Sequence, residues 1–90
     1  MKLLYCKNCG DIIRLSRSGQ HCECGACIGF YRNDLEATII GPGVPLGIGN
    51  ESLRKGIEAF NAGDIPAEHG YTVDAFVISR EASTITVKDT

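Results

Sequence analysis

Five cysteines stand between positions 6 and 27, and none follows. They fall in two tight groups, Cys6-Lys7-Asn8-Cys9-Gly10 and Cys22-Glu23-Cys24-Gly25-Ala26-Cys27, with twelve residues between Cys9 and Cys22. Thiolates are soft ligands. Two pairs of them on tight turns, separated by a hairpin-length spacer, suit a redox-silent cation that takes four sulfurs tetrahedrally. Zn2+ is the cation expected. Iron is the runner-up, because it too is held by pairs of cysteine turns, but the contracted Cys22-Glu23-Cys24 spacing departs from its usual paired two-residue turns. An odd number of cysteines in a chain without a secretion signal fits a disulfide framework poorly.

Four ligands suffice, so one cysteine is spare. Cys6 and Cys9, with Gly10 after them, make a turn in which the backbone curls and its N–H groups point at sulfur. On the other side the choice lies between Cys22 with Cys24 and Cys24 with Cys27. The first repeats the glycine that follows the pair, Gly25 matching Gly10; the second keeps the two-residue spacing. The expected ligands are Cys6, Cys9, Cys22 and Cys24, a closed set and hence a structural site, with Cys27 a small buried filler or a free thiol. A nucleophilic role for Cys27 needs a base. His21 is the nearest candidate, but no spacing fixes that pair.

The elements that must position these turns belong to one small domain of 90 residues, with 43% apolar and 22% charged content, as in ordinary globular proteins. A chain this short buries only about 60–65% of its unfolded surface, so its core alone leaves a thin margin. Zinc binding in small domains is worth about 10–16 kcal/mol, comparable with the whole stability of such a fold. No apolar run approaches the ~20 residues of a membrane span. The start, Met1-Lys2-Leu3-Leu4-Tyr5-Cys6-Lys7, is too short in apolar residues for a secretory signal. A reducing, cytoplasmic location is therefore expected.

Short strands are expected at Leu3-Leu4-Tyr5, at Asp11–Leu15 returning through Gln20-His21-Cys22, and at Gly29-Phe30-Tyr31. Leu35–Ile40 and Val44–Ile48 follow, paired across Gly41-Pro42-Gly43. Pro45 lacks an N–H and should lie on an edge or at a bulge. Asn50 is the expected cap of a helix over 51–62, closed by Gly63, whose apolar stripe Leu53, Ile57 and Phe60 should face a sheet. After a polar connector at 64–70, with His69 read as a loop residue, Tyr71–Ile78 and Thr84–Val87 read as a hairpin, and Lys88-Asp89-Thr90 as a frayed end. The expected class is α+β: a cysteine-bearing ribbon over 1–33 with antiparallel strands, and a strand-helix-hairpin extension over 34–90, with one helix packed on a sheet, the whole one compact unit.

Residues 6–25 resemble a zinc ribbon. The wider order adds Gly29-Phe30-Tyr31 with Asp34, and Leu46-Gly47-Ile48-Gly49-Asn50 with Ser52-Leu53. Over residues 4–60 it is similar to a group of small bacterial and phage proteins, and that resemblance implies a phage or bacterial accessory factor without an assigned activity.

Charge is uneven. Residues 1–33 carry five Lys/Arg against two Asp/Glu, and residues 34–90 carry four against nine, for a net −2. A four-thiolate zinc site has a net charge of −2 and draws bases around it, which absorbs most of the basic excess. Lys7, Arg14, Arg17 and Arg32, interleaved with Tyr5, Phe30 and Tyr31, could contact a nucleic acid, but the acidic whole disfavours it. No HExxH helix, nucleophile elbow or carboxylate pair of recognisable spacing is present among Asp34, Glu36, Asp64, Glu68 and Asp74, so an enzyme is the less favoured expectation. Nucleotide capture by the Gly/Pro-rich segment 41–50 at the helix start is a further one, opposed by Glu51. The expected role is non-catalytic binding of a protein or small ligand, and a homodimer through paired edge strands is compatible with it.

Overall fold

The computed structural model describes residues 1–65 and 70–88. Among the described residues eight strands and one helix follow in the order β1 (Lys2–Cys6), β2 (Ile12–Arg14), β3 (Gln20–His21), β4 (Ile28–Tyr31), β5 (Ala37–Ile40), β6 (Gly43–Ile48), α1 (Asn50–Ala62), β7 (Ala75–Val77) and β8 (Ile85–Lys88). The class is mixed α and β. Two four-stranded sheets form, in the orders β2-β1-β6-β7 and β3-β4-β5-β8.

Alternation of side chains along β1 decides how the sheets meet. Leu4 and Cys6 are fully buried, whereas Lys2, Leu3 and Tyr5 are not. Leu4 packs with Leu15, Cys27, Ala37, Ile39 and Ile85 in one core between the sheets. The sheets approach closely because glycines face that core. A Cβ on Gly43 would stand 2.3 Å from Leu4 Cδ1 and 2.8 Å from Ile39 Cγ2, both enclosed by neighbours.

Several pairings differ from those expected. The Asp11–Leu15 segment returns onto β1 (Leu4↔Ile13), and β3 pairs with β4 (Gln20↔Gly29), so the two cysteine groups sit on separate hairpins in separate sheets. Similarly, β5 and β6 do not pair; the Gly41-Pro42 turn carries the chain from one sheet to the other. β6 is a central strand between β1 and β7, despite Pro45. The Pro45 carbonyl accepts the N–H of Ile78 just past the end of β7, so its missing donor falls outside the ladder with β1. The expected C-terminal hairpin is absent as well. β7 pairs with β6 (Leu46↔Val77), while β8 lies parallel to β5 (Ile39↔Val87), where Ile85 enters the core.

Gly49, not Asn50, precedes the helix in an extended conformation (φ −64°, ψ 116°), and it makes no side-chain cap. Asn50 instead opens α1, and its Oδ1 accepts a bond from the Met1 ammonium at 2.7 Å. The far end closes as expected: Gly63 is left-handed (φ 74°), its N–H bonds to Phe60 O, and the N–H of Asp64 bonds to Ala59 O. The stripe does not face a sheet. Ile57 is 51% and Phe60 68% exposed, and no residue of α1 is fully buried. The inner faces of the two sheets already cover each other, and the single residue Gly49 is too short a link to fold α1 back over the outside. The chain is accordingly drawn out, with a radius of gyration of 14.7 Å, against about 12 Å for a compact chain of this length. His69 and Glu68 of the expected connector, and Asp89 and Thr90 of the expected frayed end, lie outside the described residues.

Stability should follow this division. In dilute solution Ile39→Ala should cost about 2–5 kcal/mol, whereas Phe60→Ala should cost less than ~1 kcal/mol. Urea unfolding measures both; a Phe60→Ala loss comparable with that of Ile39→Ala would place the ring in a core.

Candidate metal centre

The β1–β2 hairpin presents Cys6 at the end of its first strand and Cys9 in its turn; the β3–β4 hairpin encloses Cys22 to Cys27 in its turn. Each tip is tied by backbone bonds. Gly10 N–H reaches Cys6 O at 2.8 Å, and Gly25 N–H reaches Cys22 O at 3.0 Å. Both glycines need a left-handed backbone (φ 76° and 78°), which no residue with a Cβ adopts cheaply. The two tips face each other, and Asp11 stitches them together by accepting the Glu23 N–H on Oδ2 at 2.9 Å.

Between them the Sγ atoms of Cys6, Cys9, Cys22 and Cys24 all lie within 4.8 Å of one another. Cys6 to Cys24 measures 3.8 Å and Cys22 to Cys24 3.5 Å. Four sulfurs placed tetrahedrally at ~2.3 Å from a centre stand about 3.8 Å apart, so the cluster has the dimensions of a metal cage. Cys6 and Cys22 are buried, Cys9 and Cys24 exposed. Cys27 is 1% exposed, packed into the core beside Gly43, with its own N–H donating to Cys22 Sγ at 3.4 Å.

The surroundings favour negative sulfur. Cys9 N–H approaches Cys6 Sγ at 3.5 Å, and Asn8 Nδ2 donates to Cys24 Sγ at 3.4 Å. Backbone N–H groups of Asp11 and Cys24 approach Cys9, and that of Ala26 approaches Cys24. The titration of the cluster follows from these contacts. Burial opposes ionisation of Cys22, but the Cys27 N–H and the thiols of Cys24, Cys6 and Cys9 outweigh it and bring Cys22 down to about 6. Cys24 is also lowered, chiefly by the Asn8 side chain. Cys9 moves the other way: the N–H groups of Asp11 and Cys24 favour its thiolate, yet desolvation and the bonds it gives to Cys24 and Cys6 push it up to about 11. Burial likewise raises Cys6. Without a cation the thiols share protons around a partial negative charge, and a divalent cation removes that conflict.

Sequence reading found the four sulfurs. It missed Asn8 and Asp11, whose contacts exist only once the tips oppose each other; polar side chains within and just after the first turn were the signal on offer. Among the described residues, the others singled out do not gather. His21 is exposed while the Cys27 thiol is buried. Arg17 pairs with Asp34, Arg32 with Glu36 at 3.3 Å, and Lys2 Nζ lies 5.6 Å above the Tyr31 ring while donating to Leu35 O. The segment expected to capture a nucleotide is largely strand β6. Compared with protein-family models, with curated proteins and with solved structures, the chain matches none.

Metal loading should depend steeply on pH. Cys6 and Cys9 keep their protons near neutrality and must lose them to ligate, so the free protein binds more protons than the loaded one and rising pH favours loading. At least two protons released correspond to a gain in affinity of about a hundredfold or more per pH unit. Chelator competition between pH 7 and 8 should show it; a flat profile would contradict the ligand set.

Proposed function

We propose that this chain is a non-catalytic binding module of zinc-ribbon type, in which Zn2+ held by Cys6, Cys9, Cys22 and Cys24 is structural. The observation that carries this reading is the opposed pair of cysteine-bearing hairpin tips, with four sulfurs at tetrahedral spacing. Four protein ligands complete the coordination and leave no position for water or substrate. The hairpins belong to different sheets, so the metal joins the sheets at one end, where the core is only a few side chains deep. In this reading residues 1–33 are the ribbon, and 34–90 pack with it as one unit through the β1–β6 and β4–β5 ladders. Free thiols at this density belong in a reducing compartment such as the cytoplasm.

Binding of a protein or small ligand is favoured over nucleic acid. Arg17, Arg32 and Lys2 already have partners within the chain, and the protein is acidic overall. A phosphate-tracking surface needs free cations, and of Lys7, Arg14, Arg17 and Arg32 two are already engaged.

Protein purified without added metal should contain one zinc per chain by elemental analysis, with four sulfur neighbours in its X-ray absorption spectrum. Stoichiometric iron would replace the metal assignment, and an oxygen neighbour would overturn the closed structural site. Cys9→Ser should lose metal, whereas Cys27→Ser should retain it; equal loss in the two variants would move Cys27 into the ligand set.

A further inference from the structure

Helix α1 uses one face and leaves another bare. Its small residues Ser52, Gly56 and Ala59 face the segment 70–74: the N–H of Asp74 donates to Ser52 Oγ at 2.7 Å, and a Cβ on Gly56 would come within 3.1 Å of Val73 Cγ1. At about 100° per residue, the large stripe Leu53, Ile57 and Phe60 is turned roughly a quarter of the way round from that contact. Leu53 is half-buried, and the edge of Tyr71 stands against the stripe with its ring centre 6.1 Å from that of Phe60, but Ile57 and Phe60 remain exposed. The charged residues Glu51, Arg54 and Glu58 pair among themselves on the flank beyond Ile57, so a partner covering the stripe meets charges already paired.

The sheet β2-β1-β6-β7 has the complementary deficiency. Alternation that sends Leu4 and Cys6 inward sends Leu3 outward, beside Leu46 and Ile48 of β6 and Ala75 and Val77 of β7. With Ile12 these residues line an open, mainly apolar groove of about 400 Å³. Ile12 is 55% and Val77 66% exposed.

One chain therefore carries an uncovered apolar ridge and an uncovered apolar groove, and the one-residue link at Gly49 keeps them apart. We infer that two copies of this chain associate by reciprocal exchange, with α1 of each laid through Leu53, Ile57 and Phe60 on the outer sheet face of the other. Such an arrangement is a closed twofold dimer with two identical contacts. The exposed large side chains on the two surfaces amount to roughly 450 Å² per chain, and their half-buried neighbours bring the total to about 600 Å² per partner, the lower end of stable interfaces. The inference concerns association and is independent of the metal reading, whose failure would appear separately in metal content.

Sedimentation equilibrium of the full, metal-loaded chain at roughly tens of micromolar should report a dimer. Phe60→Glu on the ridge, and Ile12→Glu or Val77→Glu on the groove, should each give monomers with unchanged circular dichroism and metal content. All three positions are exposed, so the fold has no reason to fail. Mixing the ridge variant with a groove variant should restore a weaker heterodimer, because one helix–sheet contact of the two remains native. A monomeric wild type at those concentrations would overturn the inference, as would a dimer indifferent to Phe60→Glu. Variants that dissociate the dimer yet fail to complement each other would also overturn it, since like surfaces would then meet.

Discussion

Four sulfur atoms converge where two hairpin tips meet, and their mutual repulsion once ionised is the constraint on which the rest depends. Each tip curls around a left-handed glycine to aim N–H groups at sulfur, and Asp11 holds the tips in register. Hydrogen bonds alone distribute protons unevenly, lowering Cys22 while raising Cys9. A divalent cation would satisfy all four at once. Because the tips belong to different sheets, that same cation would close the sandwich at one end, a role that matters in proportion to how little apolar surface lies between the sheets.

Behind the cluster the sheets are held by packing. Leu4, Ile39 and Cys27 fill the space left by Gly43 and Gly29, and the sheets sit close enough that a methyl group at either glycine would collide with them or with Leu15. Cys27 belongs to this packing: it adjoins the sulfur cluster from the core side, contributing a backbone N–H to Cys22 and a buried thiol to the interior. Apolar side chains remain uncovered at the outside, on the helix ridge and the outer sheet face. A sandwich stapled by a cation and presenting such surfaces would act by association, as proposed above. That division of labour, metal for folding and side chains for recognition, is the substance of the functional proposal.

Features governed by a few consecutive residues were legible in the sequence. The cysteine turns depend on ligand spacing and a following glycine, and both formed. The helix ended at Gly63 because the left-handed closure is a local property. Strands β1, β4 and β6 appeared near their expected positions, since β-branched and aromatic residues between turn signals mark extended chain regardless of partner.

Which strand pairs with which was decided only in three dimensions. Ile85 enters beside Ala37 and makes β8 parallel to β5, although its own neighbours in sequence suggested a hairpin. Pro45 is accommodated in a central strand because its blank side meets the end of β7. The stripe of α1 has the period of a buried face, yet period reports only that apolar groups share a side. Whether that side is covered depends on the length of the Gly49 link and on the sheets having already paired their inner faces. Local chemistry thus determined the cysteine turns and the elements, while competition for a small buried volume determined their arrangement.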